Sequence, residues 1–548
     1  MTVAPNTNAP AVDHEMRAKA GPVNSLTVAD ALAAFAPPDP ARSRIQLLRP
    51  FIVMSKTSYS TPIVLPIGAA YIGGLMEKAG YGVDIIDAVG EAVGQIDLTE
   101  DGRKKRQGLS PAAILDRIDP KAAVLGVSLM FSQEWIEHRD LITEIRARHP
   151  DMIIVAGGEH VTAMPQFVLE TCPAIDYLVM GEGELTFLEL VHRLLAGKPV
   201  DGMTGIAYRG ADGKVVHTGV GRRIVDFQNL PRPAWHLCPV DSYFGKAFAF
   251  GVSFGRNMPI LATRGCPYQC TFCSNPTMWT TRYTMRDPAD VVDEIEHLIA
   301  TYGCNSIDFA DLTAIVKKQW ILDFCVELKR RNVRIVWQLP TGTRAEALDH
   351  ETLSAIYDAG CRLVVYAPES GSEETLKLIN KRLKLQNVLA SAAVAAEIGH
   401  MTKVNFILGF PGETRRSMLE TIWCCLKMAT KGVGDCNVAV FSPYPGSLLF
   451  KQLVDAGKID INSDEYFHDL ITFFDFTHLR AYNENVPAWE IGIYRFIGLA
   501  GFYSASYLLY PKRLWRLLKG VLGHEFKPQS LFEQRVYDAI VRSRRAAD

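Results

Sequence analysis

The feature that most constrains the fold is a regular alternation of short apolar runs with helix-length amphipathic stretches. The second of two such series runs through PILATRG, SIDFAD, RIVWQLPTG, RLVVYAPESG, KVNFILGFPG and CNVAVFSPYPG. Strand-length apolar runs separated by helices predict parallel strands joined by crossovers. Six such units predict a partial or full βα barrel over residues 259–459, with the chemistry at the carboxyl ends of its strands.

The first series runs from Ile45 to Leu195 and has the same alternation. Its apolar runs, from IQLL to IDYLVMG, are separated by helical patterns such as EWIEHRDLITEIRARH, which predicts βαβ units on a parallel sheet over residues 42–198. Residues 199–258 break into short strands and Pro-rich turns and predict a linker. Residues 1–41 lack a sustained apolar period and predict a disordered tail. Residues 460–548 predict a helical C-terminal region.

Length and composition exclude several classes of protein. A chain of 548 residues exceeds one ordinary core and predicts two to four domains. The formal charge of −2 provides no basic surface for nucleic acid. The cysteines are spaced irregularly, unlike a secreted disulfide framework, and the N-terminus lacks the basic start and apolar run of a signal peptide. We therefore expect a protein of the reducing cytoplasm.

Three cysteines lie close together in TRGCPYQCTFCSNP, directly after the first barrel strand: Cys266, Cys270 and Cys273. A loop this short predicts that three thiolates wrap one iron–sulfur cubane, whose fourth iron has no protein ligand and can accept a cosubstrate. A zinc site is one alternative, but structural zinc requires four closed ligands and the loop holds no fourth Cys or His. Scattered buried thiols are the other alternative, which we expect for the remaining eight cysteines.

The loop sequence CPYQCTFC resembles the CxxxCxxC signature of the radical S-adenosylmethionine (SAM) superfamily. The resemblance implies a [4Fe–4S] cluster on these cysteines, with the amino and carboxylate groups of SAM chelated by the open iron. It also implies reductive cleavage of SAM to methionine and a 5'-deoxyadenosyl radical.

The resemblance further implies SAM contacts at the later strand ends. Carboxylates can accept ribose hydroxyls, Arg can clamp a carboxylate, and Gly-rich turns let the backbone approach a ligand. For Asp311 and Arg344, the alternative is a structural ion pair at the barrel rim. The GGEP-like motif that is usual after the second strand in this family is absent. The candidates are Asp311, Arg344, Glu369, Ser370, Gly409, Gly412 and Glu413.

The first series resembles the cobalamin-binding domain that precedes the radical domain in one subclass of radical SAM enzymes, and GVSLMFS, VAGGEHVTAMP and VMGEGELTFLEL match it in form. The implied fold is α/β: an N-terminal Rossmann-like cobalamin-binding domain, a radical SAM partial (β/α)6 TIM-type barrel, and a helical C-terminal region. Cobalamin would lie at the carboxyl ends of the first set of strands, unless the Gly-rich segments are only tight turns into helices. The candidate contacts are Ser128, Gly157, Gly158, Glu159, Gly181, Glu182 and Gly183.

Two further motifs bear on this resemblance. The DxHxxG motif that supplies a lower axial His to many cobalamin proteins is absent, so we expect no His ligation, and we expect His160 to be a cap or surface residue,. Radical SAM methylthiotransferases hold a second cluster on three cysteines of the N-terminal domain. This domain contains only Cys172, which argues against that class.

The C-terminal region combines aromatic residues with a basic cluster. After Pro511, apolar residues at near-helical spacing alternate with Lys512, Arg513, Arg516 and Lys519. This pattern predicts an interfacial helix that makes peripheral contact with the inner face of a membrane. A transmembrane span is disfavoured, because Arg495 and several Gly, Ser and Tyr interrupt the preceding apolar run,. The alternative is a helical cap that closes the barrel mouth.

The resemblance leads us to expect methylation of an unactivated carbon in an apolar substrate. Within the subclass, the lipid-like C-terminal helix favours an isoprenoid- or hopanoid-like substrate. The expected cofactors are a [4Fe–4S] cluster, SAM and cobalamin, with an external electron donor of the flavodoxin or ferredoxin type. The second hypothesis is an oxidative reaction of the type catalysed by anaerobic magnesium-protoporphyrin monomethyl ester cyclase. A third is a cobalamin sensor with an inactive barrel, against which the three intact cysteines argue.

Overall fold

The computed structural model describes residues 26–57, 63–244, 251–473, 475–522 and 528–537. The chain forms two successive α/β units followed by a helical region. In chain order the first unit comprises α1 (Val28–Ala34), β1 (Arg44–Arg49), β2 (Ile52–Ser55), α2 (Ile67–Lys78), β3 (Gly82–Asp87), α3 (Ala88–Glu91), β4 (Ile96–Leu98), β5 (Lys104–Gln107), α4 (Pro111–Leu115), β6 (Val124–Ser128), α5 (Trp135–Arg148), β7 (Ile153–Gly157), α6 (Glu159–Ala163), α7 (Pro165–Thr171), β8 (Tyr177–Val179), α8 (Gly183–Leu195), β9 (Ile206–Arg209) and β10 (Val215–His217).

The first unit is built on a seven-stranded sheet in the order β10-β9-β8-β7-β6-β1-β3. Strands β3, β1, β6, β7 and β8 are parallel, which confirms the predicted parallel sheet. Strand order reverses between β1 and β6, and in open sheets of this kind ligands bind at the carboxyl edge beside such a reversal. Strands β2, β5 and β4 form a separate antiparallel sheet.

Strands β9 and β10 form an antiparallel hairpin that extends this sheet beyond β8. They lie within the predicted linker, so that prediction is wrong for these residues. Ile206 and Ala207 are completely buried, and their burial holds the hairpin on the sheet. The short strands expected between residues 199 and 258 are therefore present here, but they belong to the first sheet.

Helix α1 lies within the segment predicted to be a disordered tail, so that prediction is wrong for residues 28–34. Thr27 and Asp30 form a capping box in which each side chain bonds to the backbone of the other,. Val28 and Ala31 are buried, and the helix packs against α8. Two buried apolar residues are enough to dock a capped helix, but they are too few to give the helical hydrophobic periodicity by which a helix is predicted from sequence. Residues 1–25 lie outside the described residues.

The second unit is a six-stranded sheet whose order follows the chain and whose strands are all parallel, which confirms the predicted partial (β/α)6 barrel. A short antiparallel pair lies at its mouth. In chain order it comprises β11 (Asn257–Ile260), β12 (Thr263–Arg264), α9 (Asn275–Met278), β13 (Thr284–Met285), α10 (Pro288–Tyr302), β14 (Ser306–Phe309), α11 (Lys318–Arg330), β15 (Val336–Thr343), α12 (His350–Asp358), β16 (Cys361–Glu369), α13 (Glu373–Leu378), α14 (Leu385–Ile398), β17 (Met401–Leu408), α15 (Arg415–Thr430), β18 (Asp435–Val440) and α16 (Leu448–Asp455).

The C-terminal region comprises α17 (Asp464–Asp469), α18 (Ala488–Leu509) and α19 (Pro511–Val521). Helix α18 packs on α15 and on the edge strand β18, and the buried Arg495 Nε donates to the Val438 carbonyl at 2.9 Å. The helix therefore covers the open edge of the sheet, whereas the predicted cap would have closed the barrel mouth. None of the described helices has the length and hydrophobicity needed to cross a membrane.

The segment around α17 joins the C-terminal region to the first unit. Phe467 stacks on Phe167 with ring centroids 5.5 Å apart, and Arg139 Nη1 donates to Asp464 at 3.0 Å. One hydrophobic cluster contains residues of the first sheet together with Phe410 and Phe467. The two α/β units consequently share a core, and this fixes the carboxyl edge of one sheet against the mouth of the other.

Candidate functional site

The three predicted cluster cysteines lie on one loop between β12 and α9. Cys266, Cys270 and Cys273 are all free and partly exposed. The backbone N–H of Thr271 donates to the Ile379 carbonyl at 3.0 Å, and the Thr271 carbonyl accepts from Leu449 N at 2.9 Å. The loop is thus fixed between the α13–α14 connection and the start of α16.

The loop suits thiolate ligands. Burial raises the pKa of Cys270, and it raises that of Cys273 to about 12, so both thiols stay protonated until a metal displaces the proton. The Thr313 hydroxyl lies 3.6 Å from the Cys266 Sγ and donates to it. Across the described ranges, no three His, Cys, Asp or Glu side chains converge on a single-ion site. In a cubane, each thiolate binds its own iron, so the three sulfurs need not converge.

A buried ion pair stands beside the loop. Glu369 ends β16 with a φ of +67°, a left-handed value that is uncommon outside glycine, and its carboxylate accepts from Lys381 Nζ at 2.8 Å. Burial alone would lower the pKa of Lys381, but the negative charge of Glu369 and its hydrogen bond raise it. Lys381 Nζ lies 5.8 Å from the Phe272 ring centroid. Sequence reasoning missed Lys381, because a single Lys in a connecting segment carries no local signal.

Arg344 also contacts the cysteine loop. Its guanidinium carbon lies 3.9 Å from the centroid of the Tyr268 ring. One terminal nitrogen donates to Glu346 at 3.0 Å and also to the Arg382 carbonyl, whereas the buried Nε has no hydrogen-bond partner among the described residues. The structural ion pair therefore engages only part of the guanidinium and leaves a donor for a carboxylate ligand.

Asp311 anchors the segment that leads into the loop. Its fully buried carboxylate accepts from Thr263 Oγ1 at 2.5 Å and from Ala262 N at 3.3 Å. Burial raises the pKa of Asp311 to about 6. These bonds engage the carboxylate within the protein, where it positions β12 and the cysteine loop.

The GFPGE turn folds back on itself. The Glu413 carboxylate accepts from Gly409 N at 2.7 Å and from Phe410 N at 3.2 Å, and burial raises the pKa of Glu413 to about 7. Gly409 and Gly412 have φ values of +87° and +82°, which favour glycine. Ser370 is likewise engaged, with its hydroxyl 2.9 Å from that of Thr421. These side chains shape the strand ends.

The cobalamin candidates lie at the carboxyl edge of the first sheet. Ser128 ends β6, Gly157 ends β7, and the segment from Gly181 to Gly183 follows β8. Gly158 has a φ of +122°, and a Cβ there would collide with the Leu129 carbonyl, so the turn after β7 lies directly on the loop after β6.

The Gly-Gly-Glu turn abuts the cysteine loop. Glu159, the first residue of α6, accepts a hydrogen bond from the hydroxyl of Ser274, which directly follows Cys273. Burial raises the pKa of Glu159. At Gly446, an added Cβ would lie 3.1 Å from Ala163 Cβ and 3.4 Å from Ser274 Cβ, so three segments meet at this point. The candidate cobalamin edge and the cluster loop therefore share one interface.

The other acidic candidate is engaged in the contact between the two units. Glu182 is buried and pairs with Arg223 and Arg264 at 3.3 Å each, and Glu184 pairs with Arg264 at 2.6 Å. Arg264 stands two residues before Cys266. Sequence reasoning missed Arg264 and Glu184, since the partners are 80 residues apart in the chain and only tertiary docking brings them together.

His160 is buried, so the expectation of a cap or surface residue is wrong. Its Nδ1 lies 2.9 Å from Ser132 Oγ, and its ring packs 4.9 Å from that of Trp135. Burial lowers the pKa of His160 to about 3, which keeps the imidazole neutral. Its Nε2 has no hydrogen-bond partner in the described part of the chain. The hydrophobic core around α5 accounts for this burial.

The residues present fit the implied groups. Three thiols on a rigid loop, the hydroxyl of Thr313 and the unpartnered Nε of Arg344 suit a cubane with a bound carboxylate. At the neighbouring sheet edge, the exposed Met130 side chain lies against the turn at Gly158, and the next residue, Phe131, is also exposed. A large, flat macrocycle can pack on such apolar side chains while its edge approaches the backbone of the glycine turns.

Comparison with known proteins agrees with this arrangement. Residues 260–422 match the model of the radical SAM superfamily, and residues 58–191 match the model of the B12 binding domain. The chain is 28% identical to an uncharacterised methyltransferase of Pyrococcus horikoshii over 390 residues, 71% of this chain and 78% of that protein.

It is 30% identical to the anaerobic magnesium-protoporphyrin IX monomethyl ester cyclase of Rubrivivax gelatinosus over 403 residues, 72% of this chain and 67% of that protein. The fold resembles that of the radical SAM methyltransferase TsrM of Kitasatospora setae, solved with cobalamin and a [4Fe–4S] cluster. The TM-score is 0.63 at 18% identity, covering 92% of this chain and all of that one. The chain therefore belongs to the radical SAM enzymes that carry a B12-binding domain ahead of the radical domain, with a [4Fe–4S] cluster, SAM and cobalamin as cofactors.

Proposed function

We propose that this enzyme is a cobalamin-dependent methyltransferase that methylates an unactivated carbon of an apolar substrate, of the polycyclic isoprenoid or hopanoid type. When bound, the cluster and SAM supply a 5'-deoxyadenosyl radical that removes a substrate hydrogen, and cobalamin supplies the methyl group. The protein binds and orients these groups and excludes water from the radical. An external donor of the flavodoxin or ferredoxin type delivers the electron.

The hydrogen bond between Ser274 and Glu159 is the observation that carries the proposal. A carbon that loses hydrogen to a radical generated at one cofactor must receive a methyl group from the other, so the two must stand close together. Ser274 follows the last cluster cysteine, and Glu159 belongs to the Gly-Gly-Glu turn of the cobalamin domain. Their contact supports a substrate position between the two sites.

The proposed roles follow from the geometry of each residue. Cys266, Cys270 and Cys273 hold the cluster, and the Nε of Arg344 binds the SAM carboxylate while the Tyr268 ring holds the guanidinium in place. At the first sheet, Ser128, Gly157, Gly158, Glu159 and the turn from Gly181 to Gly183 form the edge against which cobalamin binds. Asp311 and Glu413 position the strand ends, since their carboxylates are engaged by the backbone.

The choice of reaction and substrate rests on separate observations. Methylation is supported by the Pyrococcus horikoshii relative and by TsrM, both of which are named as methyltransferases. The apolar substrate is supported by the aromatic and aliphatic surface of α18 and α19, which suits an enzyme that works near lipid.

Anaerobic reconstitution with iron, sulfide and cobalamin tests the proposal. The protein is incubated with methyl-labelled SAM, a reductant and a detergent-dispersed polycyclic triterpene. We expect 5'-deoxyadenosine, S-adenosylhomocysteine and a labelled lipid product. All three should vanish in Cys270→Ala and persist in the matched control Cys325→Ala, which removes a buried thiol away from the loop. Formation of 5'-deoxyadenosine with no transfer of label to any product would contradict methylation.

A second candidate is an oxidative reaction on the same cofactors, favoured by the 30% identity to the Rubrivivax gelatinosus cyclase. The two differ in the atoms that reach the product. With magnesium-protoporphyrin monomethyl ester as substrate in isotopically labelled water, oxidation gives 5'-deoxyadenosine and labelled oxygen in the product without S-adenosylhomocysteine. Methylation instead gives S-adenosylhomocysteine and a labelled methyl group.

A further inference from the structure

Helix α18 has apolar side chains on both of its faces. Its inner face, which includes Ile491 and Phe502, is completely buried. The opposite face is also apolar but is exposed to solvent: Phe496 is 68% exposed and Leu508 is 80% exposed. The exposed side chains of this helix are Trp489, Ile493, Phe496, Ile497, Leu508 and Leu509.

Helix α19 is oriented with its basic residues toward the protein. Arg513 donates to the carbonyls of Gly432 at 2.6 Å and Val433 at 3.0 Å, and Arg516 pairs with Glu533 at 2.5 Å. Two of the four residues in the predicted basic cluster therefore hold the helix in place. Its apolar side chains consequently face outward, and those exposed are Leu514, Trp515 and Leu518, together with Leu522 directly after the end of the helix.

These ten exposed side chains form what we term the C-terminal apolar face. A soluble monomer rarely exposes apolar patches larger than a few hundred Å² unless they bind something. In α19 the arginines bond to the protein, whereas the leucines and the tryptophan face solvent. In water alone, exposing these apolar side chains does not lower the free energy of the protein. An apolar partner on the outer side accounts for this orientation.

We propose that the C-terminal apolar face docks on an anionic lipid surface, with α18 and α19 lying along the membrane plane. Charge is the first argument. From Ile491 to Leu522 there is no Asp or Glu, whereas Lys512 and Lys519 are exposed and have no carboxylate partner among the described residues. Lysines at the edge of an apolar face attract anionic headgroups.

The aromatic residues give the second argument. Trp489 and Trp515 are 66% and 61% exposed, and tryptophan is enriched where proteins meet the membrane–water boundary. Lys519 Nζ lies 5.5 Å from the Trp515 ring centroid, which places a cation and an interfacial anchor side by side.

A second copy of the chain suits this face less well. Across a twofold axis the same patch meets itself, so Lys512 and Lys519 would approach their own counterparts with no acidic residue of α19 to offset them. Lipid phosphates supply the missing negative charge. The proposal does not depend on which substrate the enzyme methylates.

Co-sedimentation of the reconstituted holoenzyme with vesicles tests this. We expect binding to phosphatidylcholine vesicles that contain phosphatidylglycerol, weaker binding to phosphatidylcholine alone, and weakening by salt. Trp515→Glu/Leu518→Glu should lower the partition coefficient more than tenfold. Lys512→Ala/Lys519→Ala should lower it by roughly thirtyfold on anionic vesicles. The matched control is Val326→Glu, which charges an equally exposed apolar residue on α11 and should bind as wild type.

Folding is checked by the cluster absorbance and by substrate-free formation of 5'-deoxyadenosine, which the surface variants should retain. No binding of the wild-type protein to anionic vesicles overturns the proposal, and so does equal loss in Val326→Glu. Light scattering supplies another decisive outcome. A wild-type dimer that Trp515→Glu/Leu518→Glu converts to monomer would assign the face to a second copy instead.

Discussion

Replacing Arg264 with Met should destabilise the contact between the two α/β units. Arg264 is 3% exposed and pairs with Glu184 at 2.6 Å and with Glu182 at 3.3 Å. Its removal leaves the Glu184 carboxylate buried without its cation, whereas Glu182 keeps Arg223. Breaking a buried pair on one side costs about 3–5 kcal/mol. Because one of the two carboxylates retains a partner, we expect the lower end, about 3 kcal/mol.

Urea unfolding followed by tryptophan fluorescence measures this loss. A cost of about 3 kcal/mol lowers the midpoint by ~1 M for a slope near 3 kcal/mol/M. Adding Glu184→Gln to Arg264→Met should recover roughly half of the loss, since the uncompensated charge disappears. Arg282→Met, which removes an exposed arginine nearby, is the control and should cost less than about 0.5 kcal/mol. If Arg264→Met matches that control, or if Glu184→Gln adds to the loss, the reasoning is wrong.

Three further predictions concern the site itself. Burial raises the pKa of Glu413 to about 7, so the free energy of unfolding of the wild type should decrease as the pH rises from 4.5 to 7, relative to Glu413→Gln, by at most about 3 kcal/mol. Urea midpoints across that pH range measure the decrease, and parallel curves for the two proteins would contradict it. Lys381→Met should lower the cluster reduction potential by roughly 50 mV in an EPR-monitored titration, whereas exposed Lys377→Met should not; equal potentials would refute a charge effect. Glu159→Ala removes the hydrogen bond from Ser274 and should weaken cobalamin retention on gel filtration roughly tenfold, corresponding to about 1.4 kcal/mol. Unchanged retention would show that this bond does not hold the turn.

Much of the architecture was predictable because the apolar runs that encode it are local. The six barrel units and the parallel core of the first sheet follow from strand-length runs separated by helices. The cysteine loop is predictable for the same reason, since Cys266, Cys270 and Cys273 lie within eight residues. The positions of the Gly-rich turns at strand ends follow directly from those strands.

The rest depended on contacts between distant parts of the chain. Lys381 acquires its place only when the α13–α14 connection packs on the cysteine loop, and Arg264 only when the two units dock. Glu182 resembles a ligand residue in sequence but is engaged by two arginines. His160 is buried by aromatic residues from α5 and α17, which no local pattern indicates.

The most direct test of the account is EPR spectroscopy of the anaerobically reconstituted, reduced protein with and without SAM. The account predicts the signal of a reduced [4Fe–4S] cluster that changes when SAM is added, and no such signal in the Cys266→Ala/Cys270→Ala/Cys273→Ala variant. A cluster signal that SAM leaves unchanged, or that survives in the triple variant, would contradict it.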